Sequence, residues 1–146
     1  MTEKTANSRN LLFPAAKAKR HLVDPVAFGL AMVGGPLLTG ILGAPALLIP
    51  TIATVFGGPI YLLVGVPVML VALRRQPLAP GGWALLALAT HLSLFTPLFL
   101  PAWLTRGSLD GPGLFLVFGS AFAPLWGAVS GLIYHRLERR FFKQTI

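Results

Sequence analysis

The sequence lacks cysteine and is poor in charge. None of the 146 residues is a cysteine, and only 11% of the residues are charged, whereas 55% are hydrophobic. The absence of cysteine excludes a disulfide scaffold and a metal site with thiolate ligands. The low charge and the mean hydropathy of +0.75 exclude a disordered chain and argue against a soluble globular domain.

Long charge-free runs predict four membrane spans. No formal charge occurs between Asp24 and Arg74. As one helix this run would be about 73 Å long, over twice the roughly 30 Å hydrocarbon core of a bilayer, so it must fold back once. Two further uncharged runs, after Arg75 and after Asp110, supply one span each. The four predicted spans cover residues 26–43, 47–73, 83–104 and 114–135.

The composition of these runs predicts helices. An unpaired backbone N–H or C=O group cannot face lipid, so each span is a helix or a strand of a closed barrel. Barrel strands alternate apolar and polar residues, and these runs do not alternate. We therefore predict an all-α integral membrane four-helix bundle, kinked at its Gly-Gly-Pro segments and other prolines. A basic arm over residues 1–25 precedes this single domain, and a basic tail over residues 136–146 follows it.

The distribution of lysine and arginine predicts that both termini are cytoplasmic. Eleven of the twelve lie before span one, between spans two and three, or after span four, and Arg106 is the exception. The net charge of +8 is then explained by topology and by anionic lipids at the cytoplasmic face, without a nucleic-acid partner. A composition rich in Ala, Gly, Pro and Leu is typical of GC-rich bacterial genomes, so we expect the bacterial inner (plasma) membrane.

Rows of small residues predict where the helices pack. Lipid tails are as apolar as leucine, so close approach of helix backbones, rather than burial of leucine, drives association. Residues four apart share one helix face. Span one carries one such row of small residues and span four carries another, and the two rows either pack on each other or receive a second subunit. The predicted packing residues are Ala31, Gly35 and Gly43 in span one and Gly119, Ala123, Gly127 and Gly131 in span four.

A repeated helix-weakening segment is a candidate binding region. Gly-Gly-Pro occurs at 34–36 and again at 57–59, in spans that run in opposite directions. Proline removes a helix donor and clashes with the preceding turn. Such breaks in an inverted pair of helices point to a binding site in transporters, and a packing kink is the alternative. The predicted path or hinge residues are Gly57, Gly58, Pro59, Tyr61 and Pro97.

His91 lies about 12 Å inside the third span, and an ionisable group at that depth is a functional candidate. It has three functional interpretations: proton relay, hydrogen bonding to a neighbouring helix, or axial ligation of a pigment or haem. The segment from Ala87 to His91 resembles the Ala-x-x-x-His chlorophyll-ligating pattern of bacterial light-harvesting polypeptides, and this resemblance implies single-histidine pigment binding. A neutral, hydrogen-bonded histidine is the alternative, and no other cofactor is predicted.

Aromatic residues at the span ends predict interfacial anchors. Trp83 and Trp103 bracket the third span, about 30 Å apart along the helix, so their indoles are expected at opposite membrane interfaces. Tyr134 is expected to do the same at the cytoplasmic end of span four.

The predicted spans contain no Asp, Glu, Lys or Arg, and the four acids of the chain are scattered. We therefore predict neither an enzyme nor a metal site. The expected function is an accessory, assembly or stabilising subunit that docks on a larger membrane complex, or on a second copy, through its Gly/Ala-rich faces. The alternatives are a small oligomeric transporter or channel with Gly-Gly-Pro-broken helices, and a pigment- or haem-associated subunit that uses His91.

Overall fold

The computed structural model describes residues 22–45, 48–106 and 111–142. This part of the chain is all-helical, and each of its four helices is long and apolar enough to cross a membrane. The predicted all-α class and the number of helices able to span a membrane are thereby confirmed, while most of the predicted basic arm lies outside the described residues. The helices are α1 (Pro25–Gly43), α2 (Ile49–Arg75), α3 (Pro80–Arg106) and α4 (Gly111–Phe142).

The start of α1 is specified locally by an Asp-Pro pair. The carboxylate of Asp24 accepts hydrogen bonds from the N–H groups of Val26 at 2.9 Å and Ala27 at 3.2 Å. Pro25 occupies the first helical position, where its missing N–H costs nothing and its fixed φ suits the helix. The helix therefore begins where the first uncharged run begins.

Helices α1 and α2 are joined by a short turn and by two threonine hydroxyls. The chain reverses through Leu48, whose φ of 61° lies in the left-handed region. Thr51 then donates to the carbonyl oxygen of Gly40 at 2.9 Å, across from α2 to α1. The Thr54 hydroxyl shares its proton between the carbonyl oxygen of Pro50 in its own helix, at 2.9 Å, and that of Pro36 in α1, at 3.1 Å. The bonds to Gly40 and Pro36 supply donors to backbone carbonyls near a proline-weakened turn. The helices continue through Pro36, Pro59, Pro67, Pro97, Pro101 and Pro124.

The four helices pack unequally. Helices α3 and α4 share the largest interface, α1 packs on α4 and α2, and α2 meets α3 and α4 only sparsely. Glycines set the closest approach, since a Cβ atom at Gly127 of α4 would lie 2.6 Å from the carbonyl oxygen of Trp83 on α3. Helix α2 is therefore held mainly by α1.

One end of the bundle, here named the closed end, is filled by buried aromatic and aliphatic side chains. Trp83 is 0% exposed, and its ring centroid lies 6.2 Å from that of Phe28 and 5.4 Å from that of Tyr134. The prediction that Trp83 and Tyr134 are interfacial anchors is therefore wrong, because neither ring reaches the bundle surface. The side chain of Trp103 lies outside the described part. The opposite end, where α2 and α4 begin at Ile49 and Gly111, is named the open end.

Candidate functional site

An apolar cleft separates α2 from α3 and α4. Its volume is about 590 Å³, within the range of roughly 300–1,000 Å³ that is typical of small-molecule sites. The lining surface is almost entirely apolar, and it is partly open to the surroundings. The cleft exists because α2 leans on α1 and leaves most of its other face without a protein neighbour.

The cleft is long and closes at one end. Its lining runs from Ile49 to Met69 along α2, about 30 Å of helix, and from Gly111 to Trp126 along α4, about 22 Å. Ile49 and Gly111 are exposed at the open end, whereas Met69, Trp126 and Ala87 of α3 are buried. The cleft therefore extends from the open end and stops against the core of the closed end.

Phenylalanine and tryptophan rings form the α3–α4 wall of the cleft. The centroids of Phe95 and Phe115 lie 4.9 Å apart in an edge-on pair, and Phe122 lies 6.3 Å from Phe118 and 5.9 Å from Trp126. The α4 members recur every three or four residues and so share one helix face. This wall was not predicted from the sequence, although the spacing of aromatic residues at 115, 118, 122 and 126 was a signal for it.

His91 lies in the cleft wall but is packed into the α3–α4 interface. The residue is 6% exposed, and its ring sits against Gly119 so closely that a Cβ atom there would overlap the imidazole. Phe95 and Phe115 flank the ring, with centroids 5.2 and 5.8 Å away. The ring lies within hydrogen-bonding reach of the backbone of Leu116. Its Nε2 atom is buried and has no hydrogen-bond partner among the described residues.

This packing does not fit axial ligation of a pigment or haem. An axial histidine needs a ring nitrogen that faces the metal across open space. Protein atoms cover Nε2 of His91, and Gly119 lies against the Cε1 and Nε2 atoms of the ring. The geometry therefore does not favour the pigment- or haem-associated alternative.

The two Gly-Gly-Pro segments converge on one turn of α4. Gly35 of α1 lies so close to Ser130 that a Cβ atom would overlap the serine hydroxyl. A Cβ atom at Gly57 of α2 would lie 2.9 Å from the Trp126 ring, and the Tyr61 ring packs edge-on against the same indole at 5.4 Å. Both Gly-Gly-Pro segments therefore have a role in packing, since each lets α4 approach closely and both do so at the same turn of α4.

The predicted path or hinge residues are only partly brought together. Gly57 and Tyr61 line the cleft. Gly58 is buried and faces Thr54, while Pro59 and Pro97 are exposed and do not line the cleft.

The predicted packing residues lie inside the chain's own interfaces. The α4 row faces α3, with Gly119 against His91 and both Gly127 and Gly131 against Trp83. Ala123, in the same row, is buried at the cleft wall. Gly35 and Gly43 of the α1 row take other neighbours.

In the α1 row, Gly35 contacts α4 and Gly43 contacts Pro50 of α2. Ala31 is buried within the bundle. All seven predicted packing residues are thus engaged by the same chain, so these rows offer no smooth face to a second protein.

The hydroxyl groups near the cleft are turned away from it or satisfied. Thr90 lines the cleft, but its hydroxyl donates to the carbonyl oxygen of Leu86 at 2.7 Å. The hydroxyls of Tyr61 and Ser130 are both buried and lie within reach of each other, but the contact between them does not have hydrogen-bond geometry. The cleft therefore presents hydrocarbon and aromatic surface to any occupant.

No set of three or more His, Cys, Asp or Glu side chains able to hold a metal ion occurs within the described ranges. No protein-family model, curated protein or solved structure matches the chain. A function has to be inferred from the cleft itself.

Proposed function

We propose that the protein is a non-catalytic accessory subunit of a larger membrane assembly, and that it acts by holding an apolar molecule from the bilayer in the cleft. The observation that carries this proposal is the cleft of about 590 Å³ with an almost wholly apolar lining. Acid–base or nucleophilic catalysis requires a reactive group that faces the substrate. The ionisable lining residues are Tyr61 and His91, and the Tyr61 hydroxyl and the His91 Nε2 atom are both buried.

The proposed topology places the closed end at the cytoplasmic face of a bacterial inner membrane. Arg74 and Arg75 end α2 and Arg136 lies near the end of α4, so these cations gather at the closed end. Cations in short connections and near span ends are retained in the cytoplasm, where they also contact anionic lipids. Both termini are then cytoplasmic, the proline-containing turns act as kinks, and the cleft opens toward the extracytoplasmic side.

Single cysteines test this topology without background, because the chain has no cysteine of its own. Gln76→Cys lies between α2 and α3, and Ala44→Cys lies in the turn after α1. A membrane-impermeant maleimide added to intact cells should label position 44 and leave position 76 unlabelled until the cells are opened. The reverse labelling pattern would contradict the proposed orientation.

The accessory role assigns the partner to the mouth of the cleft, since the rows of small residues are already engaged. Phe56 on α2 and Phe118 on α4 both line the cleft and are exposed, 74% and 40% respectively. Exposed aromatic side chains are enriched at protein interfaces. A partner membrane helix, from another protein or a second copy, that covers the mouth would contact both rings.

Affinity purification in mild detergent tests the accessory role. The wild-type chain at native expression should recover a membrane partner, and the double variant Phe56→Ala/Phe118→Ala should lose it. Leu30→Ala, which truncates an exposed residue of α1, is the matched control and should retain the partner. Recovery of the protein alone, without any second component, would contradict the proposal.

A small oligomeric transporter is the second candidate, favoured by the presence of Gly57 and Tyr61 from the repeated segment in the cleft lining. In this version the cleft is part of a path for an apolar substrate. Movement of a fluorescent lipid between the leaflets of reconstituted vesicles should then depend on the protein and fall in Gly57→Leu. Equal movement in vesicles with and without the protein would remove this candidate.

A further inference from the structure

The geometry points to one hydrocarbon chain of a membrane lipid as the occupant of the cleft. The chain enters at the open end, between Ile49 and Gly111, and its methyl end points toward Trp126 and the closed end. This inference rests on the proposed function in taking the cleft as the working site, and it adds the class of ligand and its direction of entry.

The size of the cleft matches one extended chain. If each non-hydrogen atom takes about 30 Å³, the share of a water molecule in the liquid, 590 Å³ holds about 20 such atoms. A helix about 10 Å in diameter and 22 Å long would need roughly 1,700 Å³, about three times the space. A partner helix would therefore stand largely outside the cleft and cover its mouth, whereas one hydrocarbon chain fits within it.

The shape of the cleft also favours a chain with one free end. A membrane-spanning helix continues from one face of the hydrocarbon core to the other, over about 30 Å. The cleft instead stops at Met69 and Trp126, and beyond them Leu73 and Trp83 are fully buried. A lipid chain ends inside the membrane, so a closed inner end suits it.

The chemistry of the lining excludes recognition of a polar head inside the cleft. Among the residues that the structure describes, no Asp, Glu, Lys or Arg lines the cleft. The three lining atoms with hydrogen-bonding capacity left unused, the Tyr61 hydroxyl, His91 Nε2 and Trp126 Nε1, are all covered by protein. An ionised or hydrogen-bonding head would lose its hydration there without replacement. The headgroup therefore stays at the open end, and the protein recognises the hydrocarbon chain.

Photolabelling with lipid probes tests the occupant directly. The purified protein is placed in phosphatidylethanolamine–phosphatidylglycerol vesicles with a trace of phosphatidylglycerol that carries a diazirine at the end of one palmitoyl chain. The label should map near Tyr61 and Trp126, which lie about 18 Å of helix from Ile49 and Leu114 respectively. A second probe with the diazirine next to the ester should map near Ile49 and Leu114, because the chain lies along the cleft with its ester at the open end.

Cleft-filling variants supply the control. Ala53→Trp and Ile60→Trp each place an indole from α2 into the cleft, and labelling should fall about tenfold, equivalent to roughly 1.4 kcal/mol of binding free energy. Val55→Trp and Leu63→Trp add the same side chain on α2 at positions that are 63% and 79% exposed and do not line the cleft. These variants should label like the wild type.

Three results would overturn the inference. The first is labelling by both probes only at outward residues such as Leu63 and Leu85, and the second is undiminished labelling of both cleft-filling variants. The third is crosslinking of a photoreactive residue at position 53 to a protein, rather than to lipid, in native membranes. None of these requires loss of the co-purifying partner, so the lipid inference and the accessory role fail separately.

Discussion

The closed and open ends of this bundle are built from similar compositions but packed differently. At the closed end, Gly127 and Gly131 of α4 let the backbone and ring of Trp83 approach closely, and the space fills. Toward the open end, the same helix presents Phe115 and Phe118 to α2, and a cleft remains. Because lipid solvates apolar side chains as well as protein does, small residues rather than large apolar ones specify helix contact in a membrane.

The largest expected effect is loss of the closed-end core. Trp83→Ala removes a fully buried indole that contacts Phe28, Tyr134 and Gly131. We expect a loss of about 3 kcal/mol, the low end of the range for Trp→Ala, because transfer to lipid contributes little to the cost here. Reversible unfolding in mixed micelles by dodecyl sulfate measures the change.

The matched substitution in the cleft wall sharpens the contrast. Phe118→Ala truncates a ring that is 40% exposed, and we expect a loss well under half that of Trp83→Ala. Equal losses would show that the two ends are packed alike in solution, contrary to the structure.

The next effect tests the approach of α3 and α4. Gly127→Ala places a methyl group 2.6 Å from the carbonyl oxygen of Trp83, and backbone cannot move as easily as a side chain. We expect a loss of about 1–3 kcal/mol in the same unfolding assay. Gly29→Ala is the control, since no described atom beyond its own stretch of helix backbone lies within 4 Å of the added methyl group, and the stability of this variant should be unchanged or slightly raised.

The smallest effect concerns the bonds between α1 and α2. Thr51→Val keeps the side-chain shape and removes the hydroxyl that donates across the interface to Gly40, so we expect a loss of about 0.6 kcal/mol. Thr90→Val removes a hydroxyl bonded only within its own helix at Leu86, and its loss should be smaller. The same micelle assay ranks the two, and a larger loss for Thr90→Val would contradict this assignment.

Much of the fold could be predicted because it follows from backbone solvation. The uncharged runs must be helical in lipid, and the Asp24–Pro25 pair marks the start of α1. The rows of small residues identified backbone contact surfaces without their partners. The spacing of small residues shows which of them share a helix face, whereas the helix that this face contacts depends on helix tilt and rotation.

The burial of Trp83 shows where the sequence rules compete. A tryptophan near a span end normally indicates an interfacial anchor, but here two glycines on α4 open a space that the indole fills. The cleft was not predictable for a related reason. Its width depends on how far α2 stands from α3 and α4, and no single helix carries that information.

The attachment of α2 to α1, through contacts such as that of Gly40 with Thr54, has a consequence for how this protein diversifies. Substitutions in the interface between α1 and α2 would change the tilt of α2 and leave the mutual packing of α1, α3 and α4 intact. The width of the cleft and the integrity of the scaffold are therefore governed by different residues, and selection is free to alter the first without endangering the second.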